Sequence, residues 1–78
     1  MSAKEMMIEL DFKQVVDNDR QIVYIDIDNP DLYISFDKLY KTIVANQTYD
    51  YNFDYKMLQA INKQVEELGW NKWKSENI

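Results

Sequence analysis

The segment Gln21-Ile22-Val23-Tyr24-Ile25-Asp26-Ile27-Asp28 alternates without a break and is rich in β-branched residues, the pattern of a half-buried strand. Val23, Ile25 and Ile27 are expected on its packed face, with Tyr24, Asp26 and Asp28 on the wet one. Downstream, Asn29-Pro30-Asp31 reads as a turn, because proline presets the dihedral of a turn's second position. Leu32 to Ile34 then returns as a short further strand. Upstream, Asp17-Asn18-Asp19-Arg20 is a turn by its chemistry, since Asn and Asp bond their own backbone and tolerate left-handed conformations.

Before that turn, Glu5 to Lys13 also alternates. Met6, Ile8, Leu10 and Phe12 fall on one side; Glu5, Met7, Glu9, Asp11 and Lys13 fall on the other. Ser2 and Glu5 together fit a helix capping box. Wound as a helix, though, the apolar residues of this segment scatter around the circumference, so a strand over 5–13 is expected. After Ser35 the spacing changes. Phe36, Leu39, Tyr40, Ile43 and Val44 stand at i, i+3, i+4, i+7 and i+8, which predicts a helix capped by Ser35 and ending near Asn46. Tyr49, Tyr51, Phe53 and Tyr55 alternate with polar residues, as a strand or an aromatic connection would. Leu58, Ile61, Val65 and Leu68 mark a second helix, with Asp54 as its cap and Gly69 at its stop.

These elements describe an α+β domain over residues 1–78: a small antiparallel sheet of three or four strands with two helices on one face, in the order β-β-β-α-(β)-α. Connections this short favour a meander. A chain of 78 residues buries only roughly 60% of its unfolded surface, so the stability margin is thin. There is no cysteine and no histidine, which removes disulfides, zinc sites and iron–sulfur clusters from consideration. The N-terminus has no signal-peptide character and no apolar run reaches a membrane-spanning length. A cytoplasmic protein is expected.

The same absences bear on catalysis. Histidine and cysteine supply most groups that titrate near neutral pH, and neither is here. A single glycine in the chain rules out both a P-loop and a dinucleotide-binding fingerprint. Paired carboxylates acting on a metal or a sugar are the remaining enzymatic option, and a chain this small has little room for a cleft around them. The expectation is a non-enzyme without catalytic residues, cofactor or metal. An EF-hand fails on spacing, since no glycine stands at the sixth position of the loop opened by Asp17.

Charge is what remains. Residues 1–37 hold nine acids against three bases, while 38–78 hold five against six. An acidic half repels nucleic acid and anionic membranes and attracts basic surfaces. The expected partner is therefore a larger protein with a basic surface, met by Glu9, Asp11, Tyr24, Asp26, Asp28, Asp31 and Tyr33. Tyrosines beside carboxylates suit an interface, because they join a large apolar area to a polar tip; otherwise they serve to cover the sheet. No family motif is present. The class-level analogy is to small acidic proteins of phages and other mobile elements that inhibit nucleic-acid enzymes by imitating DNA charge. The alternatives are a structural or morphogenesis protein that self-associates, as a homodimer or a larger assembly, and a carboxylate-based metal-dependent enzyme.

Overall fold

In a computed structural model, residues 1–46 and 53–70 are described. The elements are α1 (Ala3–Glu9), β1 (Phe12–Asp17), β2 (Gln21–Asp26), β3 (Tyr33–Asp37), β4 (Thr42–Asn46) and α2 (Tyr55–Leu68). The four strands form one antiparallel meander in sequence order, and two helices complete a small α+β fold. Met7 of α1 and Met57 and Ala60 of α2 meet Phe12, Ile22, Tyr24, Leu32, Ile34 and Phe36 of the sheet side in one buried cluster. Class, sheet and helix number are as expected; two segments and one strand face are not.

The first correction is at 5–13, which is not one strand. Ser2 and Glu5 make both bonds of a capping box: the Glu5 N–H donates to Ser2 Oγ at 3.1 Å and the Ser2 N–H to Glu5 Oε1 at 2.8 Å. The helix they start carries Ala3, Met6, Met7 and Leu10 at i, i+3, i+4 and i+7 toward the core. That stripe begins at Ala3, outside the alternating window, so the window alone reads as a strand. Ile8, placed inside by the alternation, is exposed. Asp11, at φ 66°, turns the chain into β1. Asn and Asp occupy this left-handed region more readily than other residues with a Cβ.

The second correction is at 35–46, which is a β-hairpin and not a helix. Leu32, Ile34 and Phe36 are buried at every second position, continuing the alternation past Ser35. Asp37 then closes the turn, its Oδ1 accepting from the Leu39 and Tyr40 N–H groups at 2.9 Å each. Lys41 takes the left-handed conformation at φ 55°. Thr42-Ile43-Val44 is a β-branched run that packs poorly in a helix and well on a pleated sheet. The helical stripe would have buried Leu39 and Tyr40; both are exposed.

The third correction concerns β2, whose faces are reversed. Ile22 and Tyr24 point into the core, and Val23 and Ile25 lie half-buried on the outer face. Both faces carry large apolar residues, so alternation by itself has no preferred side. Tyr24 is fully buried because its hydroxyl finds partners there: it donates to Gln64 Oε1 at 2.5 Å and accepts from Gln14 Nε2 at 3.3 Å. Burial raises the Tyr24 pKa above its ordinary value of 10.0, against a lowering from the Gln14 bond, with Glu67 and Asp17 adding to the rise. The strand ends at Asp26, two residues short of Asp28.

The second helix lies where its spacing predicts. Asp54 caps it by accepting from the Met57 N–H at 3.0 Å, and Gly69 ends it in the left-handed conformation at φ 78°. Its buried line is Met57, Ala60 and Gln64, flanked by half-buried Ile61, Val65 and Leu68, while Leu58 is exposed. Trp70 folds back on the core, its ring 6.3 Å from that of Phe36. Tyr55 is the exposed first residue of α2, and the expectations at Tyr49, Tyr51 and Trp73 lie outside the described residues.

Candidate protein-binding surfaces

The antiparallel meander has two ends of different electrical character. At one end lie the β1–β2 and β3–β4 turns. There two of the three acids have a base: Arg20 Nε stands 3.6 Å from Asp37 Oδ2, and Lys38 Nζ stands 3.5 Å from Asp17 Oδ1. Arg20 also covers the Tyr40 ring at 5.6 Å, and Lys38 Nζ donates to Asn18 O at 2.6 Å. The N–H of Tyr40, with help from Arg20 and the Leu39 N–H, holds the Asp37 carboxyl below its ordinary value.

At the other end lie the α1–β1 turn and the β2–β3 turn, and these are joined. The Ile27 N–H donates to Asp11 O at 2.9 Å, and Phe12 is in register with Asp26. Asp26 Oδ1 organises the β2–β3 turn by accepting from the N–H groups of Asp28 at 2.7 Å and Asn29 at 3.1 Å. Asn29 Oδ1 in turn accepts from the Asp31 N–H at 3.2 Å. The result gathers Asp11, Asp26, Asp28 and Asp31 at one end of the sheet, with Glu9 at the close of α1. None of the ion pairs among the described residues includes any of the five.

Except for Tyr24, the expected site residues are brought to one end of the sheet, but not on the polar faces of strands over 5–13 and 21–28. Glu9 ends a helix and Asp11 occupies a turn, so neither lies on the outward face of β1. Asp26 is half-buried and committed to its turn, on the Tyr24 side of the strand. Asp28 and Asp31 are exposed turn residues. Tyr33 is half-buried on the outer sheet face beside Ile25, at the same acidic end. Tyr24 is interior and leaves the surface altogether.

An open cleft of about 360 Å³ between α1 and the start of α2 is lined by Met1, Met6, Glu9, Leu10, Tyr55, Lys56 and Gln59. It offers one carboxylate, where glycoside or metal-assisted hydrolysis calls for two. Among the described residues, no three acidic side chains come together closely enough to hold a metal ion. No helix among them is long and apolar enough to cross a membrane.

A surface the residue pattern did not reveal is β4. All five of its residues are exposed, Ile43 at 40% and Val44 at 52%, and the strand carries no charge. Its sequence signal was the β-branched run Thr42-Ile43-Val44, hidden under a coincident helical spacing. Set against protein-family models, curated proteins and solved structures, the chain matches none.

Proposed function

We propose that this chain is a non-catalytic binding module whose acidic end engages a basic surface on a larger protein, as an inhibitor or nucleic-acid mimic. The observation that supports it is the gathering of Asp11, Asp28 and Asp31, with Glu9 and Asp26, onto one end of the sheet with no ion pair to any of them among the described residues. Like charges held side by side cost stability, and the opposite end of the same sheet pairs Asp17 and Asp37 with bases. Unpaired carboxylates on a rigid scaffold present to Lys and Arg what a phosphate backbone presents, and they accelerate encounter with a basic partner. Tyr33 adds a half-buried aromatic with a polar tip at the rim. The reading places the protein in the cytoplasm, where a chain without cysteine loses nothing to reducing conditions.

The test compares capture by the wild-type chain with capture by the double variant Asp28→Lys, Asp31→Lys. These two exposed side chains can be reversed while Asp26 keeps the turn. The wild type should retain a basic protein from cell extract at low salt and release it as the screening length falls toward about 8 Å. The variant, with an unchanged melting temperature, should retain none of it. Capture that persists in the variant, or an extract that yields no basic partner at low salt, removes the proposal.

A further inference from the structure

The sheet has two edges, and they are treated differently. β1 carries Lys13 and Asp17, bends at a bulge about Val15, and has α1 packed against it. Charge, bulge and cover are the means by which natural sheets keep an edge from pairing with another chain. Among the described residues, β4 has none of them. It is uncharged, regularly paired to β3 over all five residues, and exposed, and among the described residues nothing pairs with its outer side. A bare edge of this kind offers a row of free N–H and C=O groups.

We infer that a second copy of this chain occupies that edge, β4 against β4, antiparallel about a two-fold axis at Val44, making one continuous eight-stranded sheet. In this register Val44 faces Val44 of the second copy, Ile43 faces Ala45, and Thr42 faces Asn46. Every facing pair is uncharged, so a chain of net charge −5 meets itself along a strand that carries no charge. The direction is also set by charge. β4 runs from the turn that holds Lys41 toward the acidic end, where the Asn46 side-chain amide donates to Asp31 O at 2.9 Å. Antiparallel pairing brings Lys41 of each copy to the end of the other that holds Asp28 and Asp31. Parallel pairing would set two acidic ends side by side. A two-fold interface closes on itself, so the assembly stops at a dimer.

Sedimentation velocity and light scattering across about a hundredfold range of concentration read the mass directly. The expected result is a shift from the 9.4 kDa chain to a species of twice that mass and nothing larger. Val44→Glu, at an exposed position, sets two like charges across the axis and should weaken the dimer by about tenfold or more. Hydrogen exchange needs no variant: amides of 42–46 should exchange more slowly as concentration rises, with β1 unchanged. Lys41→Glu should also weaken the dimer while the fold persists. A monomer at every concentration overturns the inference. So does a dimer that Val44→Glu leaves intact, or a ladder of higher masses, which would signal β4 meeting β1 head to tail.

Discussion

Replacing Tyr24 by Phe tests the interior of the fold at a buried polar contact between sheet and α2. The ring should stay in place, since its edge-to-face contact with Phe36, centroids 6.2 Å apart at 84°, does not involve the hydroxyl. What is lost is the 2.5 Å bond to Gln64 Oε1 and the 3.3 Å bond from Gln14. Gln14 is only half-buried and can turn to water. Gln64 is 4% exposed and cannot, so its carbonyl is left buried without a partner. Such a group costs about 1–3 kcal/mol. In a domain of this size each kcal/mol moves the melting temperature by about 4–8 °C, so a fall of roughly 8–16 °C is the central expectation. Thermal melts followed by circular dichroism measure it, with urea midpoints at unchanged slope as the check. Adding Gln64→Leu should recover much of the loss, because both polar partners are then gone together. The pH limb provides a second readout. Tyr24 has a folded pKa above its unfolded value near 10, so its contribution is complete below pH 10 and is lost as pH rises beyond it. Tyr24→Phe should remove that alkaline loss. A variant within about 0.5 kcal/mol of wild type would refute the reasoning, since surface-like tolerance is incompatible with a buried, obligatory hydroxyl.

The ends of α2 and the acid limb give two further expectations. Asp54→Ala removes the bond to the Met57 N–H and Gly69→Ala forces a Cβ into φ 78°; each should lower stability by about 1 kcal/mol in denaturant melts, and because the sites lie at opposite helix ends the two losses should add. Asp37 has a folded pKa below its unfolded value of 3.8, so its contribution is present above that pH and is lost as pH falls through the folded value. Asp37→Asn should therefore flatten the acid side of the stability profile below about pH 4 and leave the alkaline side unchanged.

How far the sequence could be read depended on whether one signal or two competed at each segment. At α2 every signal agreed: cap, spacing and glycine stop all pointed to a helix, and the helix, cap and stop hold, with only Leu58 of the apolar line turned to the surface. The Asp17–Arg20 turn was equally plain, with Asn18 Oδ1 accepting from the N–H groups of both Arg20 and Gln21. At residues 2–13 a capping box competed with an alternation, and the box was the better witness because it makes two specific bonds while alternation over so few residues is cheap to meet by chance. At 35–46 the reverse happened. A helical spacing of apolar residues arose from two alternating strands set across a four-residue turn, and the β-branched composition of Thr42-Ile43-Val44 was the signal that separated them. The acidic cluster was legible as composition and as a set of turns. Its location was not, because turns acquire a common address only from tertiary pairing, here the Ile27 to Asp11 bond.

The two proposed surfaces are separable, and their geometry links them. The acidic end belongs to the α1–β1 and β2–β3 turns, while the pairing edge is the length of β4, so Val44→Glu leaves every carboxylate of the acidic end in place. Antiparallel pairing nevertheless constrains what the acidic end can do. It sends the two acidic ends of a dimer in opposite directions, so a single basic patch can meet only one of them, and a dimer engages two partners or two distant patches of one. It also brings Lys41 of the second copy to the end that holds Asp28 and Asp31, where its charge competes with a basic partner. Pairing and partner binding should then oppose each other: a basic partner should bind the Val44→Glu monomer more tightly than it binds the wild-type dimer. By linkage the reciprocal holds, and a saturating basic partner should shift the wild type toward monomer by the same factor.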